Sequence, residues 1–171
     1  MQNLPKENKR EAILNAAFTT FKHYGYRKTS MHDIATALGI SRASLYSYFE
    51  NKDDIFRCVL ISVTESGLVE AKRCLGLSAL DLTSRIEAAL LARYLPLHQM
   101  LIESVHGEEI AETYFRLCGD SFADSFTQSK DILTATLKSA NRKKEIDLKA
   151  ALLTAPAASE LLNHTLLGLR H

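Results

Sequence analysis

The feature that most constrains this chain is the run over residues 29–52, which has the pattern of two short helices joined by a tight turn. Ser30 and Asp33, three residues apart, predict a capping box at the start of the first helix. Gly39 follows that helix, and we expect a positive φ there because glycine adopts it without a Cβ clash. A second helix would then occupy about residues 42–49. The run therefore predicts a helix-turn-helix.

The second helix of this pair has the composition of a helix that enters the major groove of DNA. Leu45 and Phe49, four residues apart, share an inward face, and Ser41 would cap the helix. The outward positions are small, basic or hydroxylated, namely Arg42, Ala43, Ser44, Ser47 and Tyr48, with Tyr46 near the boundary. Arginine can donate two hydrogen bonds to guanine, and tyrosine hydroxyls can bind phosphates. These residues predict binding to duplex DNA.

The apolar periodicity of the remaining sequence predicts helices and no hairpin, so the fold class is all-α. We expect a first helix from about Glu7 to Tyr24, ended by Gly25, and a long fourth helix over about residues 52–73. Later helices are predicted over residues 82–93, 96–106, 108–139 with a bend or break at Gly119, 142–153 and 157–169. A three-helix head over residues 1–52 would thus be joined by the long helix to a helical body, residues 53–171.

Charge is distributed unevenly along the chain, although the formal net charge is only +1. Residues 1–52 contain eight Lys and Arg against four acidic residues, and residues 53–171 contain thirteen against sixteen. A basic head on an acidic body is typical of a module that faces phosphates, and a solvated charged surface would leave a similar imbalance.

Several function classes lack their sequence signals. The three cysteines are widely spaced without a zinc pattern, and the N-terminus has no apolar signal core, so we expect a cytoplasmic protein with reduced thiols. His98 and His106 would lie about 12 Å apart along a helix, too far to share one metal ion. No membrane-length apolar run, phosphate-binding loop or serine elbow is present. We predict no metal, no cofactor, no membrane association and no enzymatic activity.

One group of motifs extends beyond the helix-turn-helix itself. It comprises residues 10–17, Phe21, Gly25, Tyr26, Thr29, Ser30, residues 33–35, 39–41 and 45–49, Asn51, Lys52, Ile55 and Phe56. In this order and spacing the head resembles the DNA-binding domain of the TetR family of transcriptional regulators. The resemblance implies a bacterial cytoplasmic homodimer that binds a palindromic operator, usually represses, and is released when a small-molecule effector, here unknown, occupies the body.

The resemblance also implies particular DNA contacts. Arg42, Ala43 and Ser44 would lie at the floor of the major groove, and Tyr46, Tyr48 and Lys52 along the phosphates. The complete set of candidates is Lys28, Thr29, Ser30, Ser41, Arg42, Ala43, Ser44, Tyr46, Ser47, Tyr48 and Lys52.

Some of these assignments have alternatives. Arg42 could contact phosphate instead of a base, and Tyr46 could pack between helices. Lys28 and His32 could be solvated. Lys9 and Arg10 fit a solvated surface better than a DNA contact.

The body carries candidates for an effector cavity and for a dimer interface. The apolar and aromatic cavity candidates are Leu68, Cys74, Tyr94, Met100, Leu101, Tyr114, Phe115 and Cys118, each of which could equally be core. The family uses its final helices for dimerisation, which implicates Leu148, Leu152, Leu153, Leu161, Leu162 and Leu166, with ordinary core packing as the alternative. The family's body is commonly longer, so we expect a compact body or a chain that stops early.

The leading hypothesis is a ligand-released dimeric repressor. One alternative is a ligand-independent architectural or cell-division factor with the same head. Another is a helical enzyme or small-molecule carrier with a vestigial head.

Overall fold

The computed structural model describes residues 6–168, without the side chains at positions 6, 122 and 166–168. Within this range the chain forms helices and no strands, which confirms the all-α prediction. The helices are α1 Lys6–Tyr24, α2 Met31–Leu38, α3 Arg42–Tyr46, α4 Lys52–Leu75, α5 Leu82–Leu101, α6 Gly107–Arg142 and α7 Ala155–Gly168. No helix in this range is long and apolar enough to cross a membrane.

The described residues form two compact units. The first unit contains the described residues up to Val63 together with Leu97–Gly119, and the second contains Thr64–Pro96 and the described residues from Asp120 onward. Helices α4, α5 and α6 therefore contribute to both units. The division of function between a head ending at residue 52 and a body beyond it stays a prediction.

An apolar core holds the helix-turn-helix within the first unit. Ile13 and Phe21 of α1, Ile34 of α2 and Leu45 of α3 are almost fully buried. The Phe21 and Phe56 rings meet edge to face with their centroids 5.2 Å apart. Each large apolar side chain buried here contributes about 1.5–3 kcal/mol, so this core fixes α3 on the head.

Local hydrogen bonds define the turn between α2 and α3 as predicted. The Ser30 Oγ accepts from the Asp33 N–H at 3.3 Å, and the Ser30 N–H donates to the Asp33 carboxylate at 2.8 Å, completing the capping box. The Ser30 hydrogen bonds lower the pKa of Asp33. Gly39 has φ of 64°, and the Ser41 Oγ accepts from the Ser44 N–H at 3.1 Å. The regular helix α3 is shorter than expected, because it ends at Tyr46.

The second unit combines an apolar core with buried hydrogen bonds. Ala71, Cys74, Leu75, Ala89 and Leu133 form one apolar cluster. The fully buried Asn163 carbonyl accepts hydrogen bonds from Tyr94 at 2.7 Å and Ser129 at 2.9 Å, and its Nδ2 donates to the Ser159 carbonyl at 3.0 Å. These bonds tie α5 and α7 to α6 within the unit.

The predicted break before Pro96 does not occur, because α5 is one helix from Leu82 to Leu101 with Pro96 inside. Proline has no N–H to bond the carbonyl of Ala92, four residues earlier. Gly67 of α4 lies close to this position: a Cβ there would be 3.3 Å from the Ala92 oxygen and 2.9 Å from the Arg93 oxygen. A glycine thus allows α4 to approach the carbonyls beside the proline.

The helix predicted over residues 142–153 is also wrong. Residues 143–154 form turns, with positive φ at Lys144 and Leu152. The long helix before them bends at Cys118, which has non-helical backbone angles, next to the predicted position at Gly119.

Candidate nucleic-acid interface

The start of α3 presents an exposed basic and small surface. Arg42, Ala43 and Ser47 are exposed and Ser44 is half-buried, whereas Leu45 faces the core. The Arg42 guanidinium forms no ion pair with any residue in the described range. The arginine is therefore available to an external acceptor.

The recognition segment, residues 42–49, consists of α3 and the three residues after it, and its two tyrosines differ in exposure. Tyr46 is 45 % exposed, which does not favour the alternative that it packs between helices. Tyr48 is half-buried. Neither hydroxyl has a hydrogen-bond partner among the described residues, so both can donate to a phosphate.

Two of the predicted DNA-contact residues before α2 are exposed, and the third, Thr29, is buried. Thr29 is only 2 % exposed, and its hydroxyl donates to the Gly25 carbonyl at 2.6 Å. This hydrogen bond fixes the segment before α2, and the contact of Thr29 with DNA stays a prediction. Lys28 and Ser30 are exposed, although the Ser30 hydroxyl already donates to Asp33 at 2.7 Å.

Lys52, which is predicted to face the phosphates, has contacts within the first unit. Its Nζ donates to the Tyr26 carbonyl at 2.8 Å and lies 4.2 Å from the centroid of the Tyr26 ring. Burial lowers the pKa of Lys52, while nearby Asp53 and Glu109 oppose that shift. Lys52 thus joins the start of α4 to the segment between α1 and α2.

Tyr26 and Glu109 complete this junction within the first unit. The Tyr26 hydroxyl donates to the Asp53 carboxylate, and burial followed by this hydrogen bond raises the pKa of Tyr26 to about 12. Glu109 of α6 accepts from the Arg27 N–H, and Arg27 pairs with Glu112 at 3.4 Å. No local sequence pattern predicts these contacts, because the partners lie more than 25 positions apart.

The predicted cavity residues fall in both units. Leu68, Cys74 and Tyr94 belong to the second unit, and the others belong to the first, where Phe115 is exposed while Met100, Leu101, Tyr114 and Cys118 are buried. A narrow cleft in the second unit contains about 10 Å³ of open space, the lower limit for one water molecule. Of the predicted residues, only Leu68 lines this cleft. The effector cavity stays a prediction.

The predicted interface leucines divide into buried and exposed groups. Leu148 and Leu162 pack against the cluster of Leu137, Ala155 and Ala158 in the second unit. Leu152, Leu153 and Leu161 are exposed, and the Leu166 side chain lies outside the described residues. The first group therefore has a structural role, and the second is available to a partner.

No group of three or more His, Cys, Asp or Glu side chains within the described part of the chain could hold a metal ion.

Comparison with known proteins gives a family match over the helix-turn-helix. Residues 13–59 match the family of bacterial regulatory proteins described as the tetR family. The uncharacterized HTH-type transcriptional regulator YfiR of Bacillus subtilis is 38 % identical over 74 residues, which cover 43 % of this chain and 34 % of YfiR. The chain thus spans about a third of the length of this curated relative. Both the matched family and YfiR are described as regulators.

Two solved structures share the fold at 20 % identity. The fatty acid degradation regulator FadR from Bacillus halodurans has a TM-score of 0.68, with 95 % of this chain and 82 % of FadR covered. A SmeT–triclosan complex has a TM-score of 0.65, with 95 % of this chain and 78 % of SmeT covered. Residues 13–59, which contain the helix-turn-helix, are thus similar to the bacterial regulatory proteins of the tetR family, and the two solved structures show that the chain shares their all-α fold.

Proposed function

We propose that the chain is a sequence-specific transcriptional regulator that binds a palindromic operator as a homodimer. The observation that carries the proposal is the exposed start of α3, where Arg42 and Ala43 stand on a capped and buried helix-turn-helix. Arg42 would donate two hydrogen bonds to a guanine, and Ala43 would allow the helix to approach the bases closely. Tyr46 and Tyr48 would set the register by binding phosphates.

Dimerisation would pair two such heads on one operator. The exposed Leu161 of α7, together with Leu152 and Leu153 in the preceding turns, provides apolar surface for a second copy. A two-fold dimer would place its recognition helices in successive major grooves, about 34–36 Å apart.

A small-molecule effector would release the dimer from its operator. This part of the proposal draws on the family and on SmeT, whose fold this chain shares and whose structure contains triclosan. The effector would bind in the region after residue 52 and shift the population toward a conformation that no longer fits the operator. Repression follows as the regulatory outcome when the operator overlaps a promoter.

The proposal is tested by selecting binding sites from a random duplex pool at a stated salt concentration. A dimeric regulator enriches a palindrome with half-sites about one helical turn apart. Enrichment of a single half-site would overturn the proposal that the chain binds its operator as a dimer. If no sequence is enriched and binding is weak and strongly salt-dependent, sequence-specific regulation is overturned.

A further inference from the structure

One exposed face of α6 carries charges that are sorted by sign along the helix. After the bend at Cys118, the exposed residues that recur three or four positions apart are Asp124, Gln128, Asp131, Ala135, Lys138 and Arg142. Side chains at this spacing lie on one side of a helix. These six residues form the α6 stripe, whose first half is acidic and whose second half is basic.

The protomer does not neutralise these charges itself. Asp124, Asp131, Lys138 and Arg142 form no ion pair with any residue in the described range. Asp131 and Lys138 are seven positions apart, beyond the three or four at which helical side chains pair. Lys138 and Arg142 are four positions apart and repel each other. The stripe therefore lacks the alternation of sign that is typical of a solvated helix face.

The helix macrodipole does not explain this sorting by sign. Its effect falls off within the first and the last turn of a helix. Arg142 is the last residue of α6, whereas Asp131 lies about three turns before it. A surface of opposite pattern outside the protomer would neutralise the charges in the middle of the stripe.

A second copy of α6 in antiparallel orientation has that opposite pattern. If two copies cross beside Ala135, whose side chain is small, Asp131 of each copy meets Lys138 of the other. Asp124 likewise comes within reach of Arg142 of the other copy. A two-fold axis makes the two sets of contacts identical. In a parallel pair like charges would meet, so the pattern selects one orientation.

We propose that the α6 stripe recognises the α6 stripe of a second copy in antiparallel orientation. The inference rests on the dimer of the proposed function and deepens it, because it names the residues that select the partner. Lys130, next to Asp131, contacts Glu160 of α7 at 3.9 Å, and Glu160 precedes the exposed Leu161. The stripe therefore adjoins apolar surface that supplies affinity, while the charges set the orientation and reject chains with another pattern.

The test reverses the charge of one half of the stripe at a time. Asp124→Lys with Asp131→Lys makes the stripe wholly basic, and Lys138→Glu with Arg142→Glu makes it wholly acidic. Sedimentation equilibrium of each variant alone should show a dimer dissociation constant at least about tenfold higher than that of the wild type, because like charges meet. An equimolar mixture of the two variants should dimerise at least as tightly as the wild type.

Two further variants serve as controls. Glu65→Lys with Glu87→Lys changes the charge of the same unit by the same amount at exposed positions, and it should dimerise as the wild type does. A variant with all four stripe charges reversed stays complementary to itself, so it should also dimerise normally. Equal thermal unfolding midpoints establish that the variants fold. The wild-type dimer, which needs no substitution, should weaken as salt screens the charges.

The failure of the inference can be distinguished from the failure of the proposed function. Normal dimers of the half-reversed variants, a mixture that stays monomeric, or a monomeric variant with all four charges reversed would each overturn the inference. In each case the wild-type dimer of the proposed function remains. A wild-type chain that is monomeric at every concentration overturns both the inference and the proposed dimer.

Discussion

At the scale of single residues, Lys52 shows how a basic side chain in a DNA-binding motif can serve the fold. It bonds the Tyr26 carbonyl and covers the Tyr26 ring, and these partners come from a segment 26 positions earlier. Helical spacing and capping patterns report contacts within a few residues, so they could not predict this pairing. Thr29 is similar, because its burial depends on tertiary packing around the Gly25 carbonyl.

The role of Lys52 predicts a loss of stability on substitution. Lys52→Gln removes a charged hydrogen bond and a cation–π contact, so the free energy of unfolding should fall by about 1–2 kcal/mol. The matched control is Lys28→Gln, which alters an exposed lysine of the neighbouring segment and should change stability by less than about 0.5 kcal/mol. Urea unfolding measures both variants. Equal stability of the two would contradict the internal role of Lys52.

At the scale of elements, the helix boundaries could be predicted from the sequence where they depend on residues close together in the chain. Ser30, Gly39 and Ser41 define the ends of α2 and α3 through hydrogen bonds that span three or four residues. The turns over residues 143–154 could not be predicted in this way, because the leucines of this segment have a spacing that indicates a helix. There the Asn141 and Asp147 side chains accept hydrogen bonds from the Leu148 and Ala150 N–H groups, which competes with helix formation.

The turn at Gly39 gives a prediction for this scale. A Cβ at Gly39 or at Gly119 would meet no atom within 4 Å, but only Gly39 has a positive φ. Gly39→Ala should therefore cost about 1–2 kcal/mol of stability through backbone strain alone. Gly119→Ala lies in α6 and should gain about 0.5–1 kcal/mol. Chemical denaturation of both variants measures the sign of each change in the free energy of unfolding. A Gly39→Ala variant more stable than the wild type would contradict the backbone strain expected in this turn.

At the scale of the whole molecule, the all-α class and the helix-turn-helix could be predicted from patterns in one sequence, whereas a dimer interface and an effector cavity stay predictions. Buried and exposed leucines of the final segments have the same sequence signature, and only packing separates Leu162 from Leu161. A cavity likewise depends on how helices meet, which periodicity does not encode.

The proposed dimer predicts that a charge on α7 disrupts assembly. Leu161 is 58 % exposed, so Leu161→Asp should leave the protomer folded while burying an unpaired charge in a dimer. We expect sedimentation equilibrium to show a monomer, with binding reduced to that of a half-site. Leu95→Asp, at another exposed leucine, serves as the control. A persistent Leu161→Asp dimer would place the interface elsewhere.

The most direct test of the central claim is the affinity of Arg42→Ala for the selected operator and for a random duplex at one salt concentration. If α3 reads bases through Arg42, operator affinity should fall by about 1–3 kcal/mol, roughly 5- to 150-fold. Affinity for the random duplex should fall by only about threefold, because one phosphate-attracting charge is lost. Equal losses on the two duplexes would contradict base reading by Arg42.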